Sequence, residues 1–82
     1  YQDAIKAIMP LYRQYSGQYL LNLRLGWLYY LAGKQGDSII YYRKAVKILP
    51  GSIEARLGLS LPLMAKADWG SVEELMYQVI RD

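Results

Sequence analysis

Residues 34 positions apart in this chain match in size along nearly its whole length, and few folds permit that. Leu25 pairs with Leu59, Gly26 with Ser60, Tyr29 with Leu63 and Gly33 with Ala67. Ser38, Tyr42 and Ala45 pair forwards with Val72, Met76 and Val79, and backwards with Ala4, Ile8 and Leu11. The turn repeats as Ser16-Gly17 and Pro50-Gly51. A rival interval of 32 aligns Arg24-Leu25-Gly26 with Arg56-Leu57-Gly58, but it loses step at Val72, Met76 and Val79, so 34 is preferred. A chain with such a period builds successive copies of one supersecondary unit, each burying its apolar face on the next. That suits 82 residues, a length at which a single globular core is marginal.

The units are helical, because apolar residues recur at three- and four-residue spacing and alternation of period two is nowhere sustained. The first segment, 1–15, places Ala4, Ile5, Ile8, Leu11 and Tyr12 on one face, with Pro10 predicting a kink or break near Met9. The second, 19–32, is apolar around most of its circumference and is expected to be buried on more than one side. Gly33-Lys34-Gln35-Gly36 ends it, and Asp37 or Ser38 is expected to cap the third helix, 37–49, which leaves Arg43, Lys44 and Lys47 to solvent. Pro50-Gly51-Ser52 closes that unit, with Ser52 as the next cap. The fourth helix, 53–66, contains Pro62, which either bends it or is tolerated beside Gly58. The last, 71–81, turns Val72, Leu75, Met76, Val79 and Ile80 inward.

The central unit resembles the tetratricopeptide repeat, a helix–turn–helix of about 34 residues. The resemblance is carried by Leu25-Gly26-x2-Tyr29, then Ser38 for the usual Ala, Tyr42 for the usual Phe, Ala45 and Pro50. Asn22 stands where Trp is usual; the next unit has Arg56 there, Ser60 for Gly and Leu63 for Tyr. The resemblance implies an all-α fold of about five helices, antiparallel pairs stacked as a right-handed superhelix. It divides the chain into a closing helix (1–16), a full repeat (19–52) and a nearly full one (53–82), read as a piece of a longer array. Leu25, Gly26, Tyr29, Tyr42 and Ala45 fall in the seam within the repeat, where a glycine lets the paired helices approach closely.

Such arrays take an extended or helical peptide of a partner protein in a concave groove. The groove face carries Leu20, Leu23, Trp27, Tyr30 and Leu31, and in the fourth helix Glu54, Leu57, Leu61, Met64 and Ala65. Aromatic side chains suit recognition, offering roughly 150–250 Å² of surface each with few torsions to freeze. Trp27 and Tyr30 either line that groove or are covered by a neighbouring helix. Arg24 and Arg56 stand at its edge, either for an acidic partner residue or simply solvated. The Lys and Asn with which some members clamp a partner's terminal carboxylates are replaced by Leu23 and Trp27. An alternative is self-assembly through apolar end helices, carried by Ile5, Ile8 and Leu11 at one end and Leu75, Val79 and Ile80 at the other. Another is that the chain is the docking arm of a larger enzyme.

Other functions have little support. The chain has no His or Cys, which removes the commonest general base, the best nucleophile and the softer metal ligands. Its serines read as caps, turn residues or small packing residues, and no cofactor motif is present. The net charge of +3, ten Lys/Arg against seven Asp/Glu, is dispersed and does not form a phosphate-binding face, so no nucleic-acid partner is expected. No apolar run reaches the roughly 18 residues of a membrane helix, so membrane insertion is not expected either. The compartment is not readable from these residues.

Overall fold

The computed structural model describes residues 1–81, with side chains through Val79. The described residues form five helices: α1 (Gln2–Gln14), α2 (Tyr19–Leu31), α3 (Gln35–Ile48), α4 (Ile53–Ala65) and α5 (Trp69–Arg81). No strand occurs among the described residues. The connecting turns are alternately four and three residues long, and turns this short make successive helices run antiparallel.

The interval of 34 is written into the backbone. α2 and α4 have equivalent bounds, and both end in the same hydrogen-bonded turn. The Lys34 amide donates to the Tyr29 carbonyl and the Asp68 amide to that of Leu63, each at 2.9 Å. Gly33 bonds back to Tyr30 at 3.1 Å and Ala67 to Met64 at 2.9 Å. This pair of bonds closes a helix through one residue of left-handed conformation, and Gly33 (φ 80°) and Ala67 (φ 56°) are those residues. The longer turns also match, Gln18 bonding to the Tyr15 carbonyl and Ser52 to that of Leu49. An interval of 32 would put none of these bonds in register.

Several helix ends differ from expectation. α1 runs unbroken across Pro10, where a kink or break was expected. Proline forfeits one bond, to the Lys6 carbonyl, but Ile5 and Tyr12 on either side are both buried and hold the segment down. α4 likewise continues through Pro62, which is fully buried. α3 begins at Gln35, so Gly36 lies inside it, and neither Asp37 nor Ser38 caps it. Ser38 is buried instead and donates to the Gly26 carbonyl at 2.6 Å, tying α3 to α2. α5 begins at Trp69, two residues earlier than expected, because Asp68 accepts from the Ser71 amide at 3.3 Å and its hydroxyl at 2.8 Å. Ser52 caps α4 as expected, accepting from the Ala55 amide at 3.2 Å.

Packing follows chain order. α3 lies against α2 and α4, α4 against α5, and α1 against α2. Among the described residues, α2 and α4 are the one non-sequential pair whose backbones approach. α1 and α3 stay apart and are bridged by side chains: the Tyr12 and Tyr41 rings meet edge to face at 5.3 Å, and Tyr41 stacks on Tyr29 at 5.3 Å. Two apolar clusters result, one of Ile5, Tyr12 and Leu25, the other of Ile39, Tyr42, Leu59, Leu63 and Leu75. Ile5 and Leu75, expected at open ends, are thus inside; Leu11 is exposed, Ile8 and Val79 are half-buried, and Ile80 lies outside the described side chains.

Asn22, at the place of the usual Trp, is fully buried. Its carboxamide accepts from the Tyr12 hydroxyl at 3.0 Å and donates to the Ser16 and Gln18 carbonyls at 3.0 and 2.8 Å. All three groups of the preceding turn and helix are satisfied by one small polar side chain, a substitute for aromatic packing. Lys44 is exposed, as expected, and it also donates to the Tyr12 hydroxyl at 3.1 Å and sits 5.5 and 5.4 Å from the Tyr12 and Tyr41 ring centres.

Candidate partner-binding cleft

An open cleft of about 690 Å³ lies where α1, α2 and α4 face one another. Its α2 wall is Leu20, Leu23, Arg24, Trp27 and Leu28; α4 contributes Glu54, Gly58 and Leu61, and α1 contributes Ala4 and Ile8. The remaining lining residue is Tyr42 of α3, which comes from behind. The walls are apolar because α2 and α4 carry apolar residues around most of their circumference: one side serves the clusters, and the surplus faces out. Leu20 is 71 % exposed and Trp27 45 %. The Trp27 ring lies 5.8 Å from that of half-buried Tyr30, tilted by 32°.

Tyr42 reaches the cleft because both helices in front of it are notched. A Cβ added at Gly26 would stand 2.7 Å from the Tyr42 ring, and one added at Gly58 would collide with the opposite edge of that ring. The ring therefore lies between the backbones of α2 and α4 and is 3 % exposed. Burial pushes its hydroxyl pKa up to about 12, helped by the Glu54 carboxylate and by Tyr30, so the phenol stays neutral at ordinary pH. Burial also raises the pKa of Tyr29 and of Tyr41 on the other side of the molecule.

Of the residues expected to form the groove, Leu20, Leu23, Trp27, Glu54 and Leu61 line this cleft, and so does Arg24, expected at the groove edge. Tyr30, Leu31, Leu57, Met64 and Ala65 do not line it; Leu57, Met64 and Ala65 are exposed outside it, and Leu31 is half-buried. Arg56 is half-buried and also outside the lining, where it holds the place on α4 that Asn22 holds on α2. Arg24 and Arg56 are 32 apart, so a repeat of 34 cannot put both on the same edge. Gly58 is the residue that does match Arg24, and together with Tyr42 it went unrecognised as part of the cleft. The signal for it in the sequence is a glycine on each of two helices, Gly26 and Gly58, able to flank one aromatic ring.

Chemically the cleft offers apolar contact, one neutral hydroxyl, one guanidinium and one carboxylate. Among the described residues no group of three or more His, Cys, Asp or Glu side chains gathers in a metal-binding arrangement, and no helix is long and apolar enough to cross a membrane. No family model, curated protein or solved structure matches the chain.

Proposed function

We propose that this chain is a non-catalytic interaction scaffold of the tetratricopeptide kind, which takes an apolar segment of a partner protein in the cleft between α1, α2 and α4. The observation that carries the reading is the exposure of Leu20 and Trp27 on the wall of an open apolar cleft of about 690 Å³. Water over so much apolar surface is released when a partner covers it, and a large aromatic beside a concavity is the usual anchor of such contacts. The recurrence at 34 residues supports the family reading, as does the approach of α2 to α4 while α1 and α3 stay apart, since that spacing curves a stack of helices towards its α2–α4 side.

Selection of peptides from a display library, followed by affinity measurement on Leu20→Lys and Trp27→Ala variants, tests the proposal. Both side chains are substantially exposed, so the variants keep the parent's melting temperature within a few degrees. The expected outcome is a loss of at least about tenfold in affinity for both, the size typical of an interface anchor. Peptides that bind both variants as tightly as the parent chain would place recognition elsewhere and overturn the reading.

A further inference from the structure

We propose that a notch between α3 and α5 takes the tyrosine side chain of a partner protein, held as the chain holds one of its own tyrosines a repeat earlier. The notch shares no lining residue with the cleft between α1, α2 and α4, and the proposal stands apart from that reading.

The first repeat shows what fills the gap between alternate helices. The backbones of α1 and α3 do not approach each other, and the space between them is occupied by rings. Tyr12 meets Tyr41 edge to face, Tyr41 stacks on Tyr29 with planes 3° apart, and the Lys44 ammonium lies over the rings of Tyr12 and Tyr41. One interval of 34 further on, the backbones of α3 and α5 also stay apart. The places of Tyr12, Tyr29 and Tyr41 are taken there by Val46, Leu63 and Leu75, and that of Lys44 by Gln78. Three rings are thus replaced by smaller aliphatic groups while the helices remain out of contact, and space is left over.

That space is a notch of about 130 Å³. Its floor is made by buried Leu59, Leu63 and Leu75, and its rim by exposed Arg43, Glu74 and Gln78. A leucine-lined cavity of roughly 150 Å³ takes benzene, so one ring is the right size of occupant and a length of polypeptide is too large. The rim selects the kind of ring. The Arg43 guanidinium supplies, from α3, a cation like the one that Lys44 holds over Tyr41, and such a cation favours an aromatic face over an aliphatic side chain. Glu74 and Gln78 offer acceptors to a hydroxyl carried outward on the ring, which a phenylalanine lacks. A tyrosine on the surface of a partner meets all of these conditions.

The experiment titrates the whole chain with N-acetyl-tyrosinamide, N-acetyl-phenylalaninamide and N-acetyl-leucinamide, followed by amide correlation spectra in NMR. The tyrosine probe is expected to shift the amides of Leu63, Ser71, Leu75 and Gln78 saturably, with a dissociation constant of roughly 1–20 mM, the reach of one small ring. The phenylalanine probe should bind about two- to tenfold more weakly, the worth of one hydrogen bond, and the leucine probe should give no saturable shift. Gln78 holds the place of Lys44, so Gln78→Trp lays an indole over the notch; the position is exposed, so the melting temperature should hold while binding is lost. Trp27→Ala should bind the tyrosine probe as the parent does, which separates the notch from the cleft. Absence of saturable shifts at the notch, shifts confined to the cleft, a leucine or phenylalanine probe that binds as tightly as the tyrosine one, or undiminished binding by Gln78→Trp overturns the proposal.

Discussion

Tyr42 is held on two sides at once, and that makes its neighbours unusually intolerant. Replacing a glycine by alanine inside a helix ordinarily favours the helix by about 1 kcal/mol. At Gly26 and Gly58 the sign should reverse, because the added methyl meets the Tyr42 ring from one side while the other side is already occupied. Overpacking of this kind costs about 1–3 kcal/mol. Gly70, inside α5, has nothing within 4 Å of an added Cβ and serves as the control. Chemical denaturation is expected to show Gly26→Ala and Gly58→Ala less stable than the parent and Gly70→Ala equal or more stable. Gly26→Ala as stable as the parent would mean that the ring can retreat, and that the slot is looser than these distances indicate.

Helix ends divide into those whose signals are local and those settled by neighbouring elements. Ser52 was legible as a cap from its place after Pro50-Gly51, and it caps. Ser38 carries the same local signal, but the Gly26 carbonyl, twelve residues away in sequence, takes its hydroxyl, and no reading of adjacent residues contains that contact. The helix count and the seam of Leu25, Tyr42 and Ala45 were legible because apolar spacing and the interval of 34 report them directly. Pro10 misled because propensity weighs one lost bond without the burial of Ile5 and Tyr12 beside it. In the cleft, Trp27, Leu23 and Leu61 were legible from their helix face; Tyr42 was not, since its arrival there depends on two notches in other helices. The left-handed residue closing α4 is Ala67, where α2 uses Gly33. Left-handed geometry costs an L-residue about 1–2 kcal/mol, of which glycine's extra flexibility in the unfolded chain returns part. Ala67→Gly should therefore raise stability by about 0.5–1 kcal/mol, and Gly33→Ala should lower it; a thermal midpoint that falls in Ala67→Gly would refute the argument.

The whole molecule is a slab of 36 × 24 × 13 Å whose two apolar clusters are built from successive neighbours. Its outer helices are amphipathic: α1 turns Ile5 and Tyr12 inward with Lys6, Arg13 and Gln14 exposed, and α5 turns Leu75 inward with Glu73, Glu74 and Gln78 exposed. Ile5 and Leu75 are spent on internal packing and are not free to drive association of copies. Sedimentation across a hundredfold range of concentration is expected to find this chain monomeric. Association that Leu11→Lys abolishes would restore the end-to-end alternative, because Leu11 is the exposed member of the apolar set on α1.

The slot around Tyr42 also limits how such a chain is assembled from, or changed by, its units. Advancing Gly58 by one period backwards lands on Arg24, and doing the same with Tyr42 lands on Ile8. A slender residue thus accompanies the arginine and a ring accompanies the glycine, so each junction between units has its own lock and key. Copying the unit 19–52 in tandem would bring the first copy's Tyr42 ring against the second copy's Arg24, at the place Gly58 now holds. These repeats share a shape without being interchangeable, and drift at one junction has to be matched by its facing residue before the unit can be duplicated or shuffled.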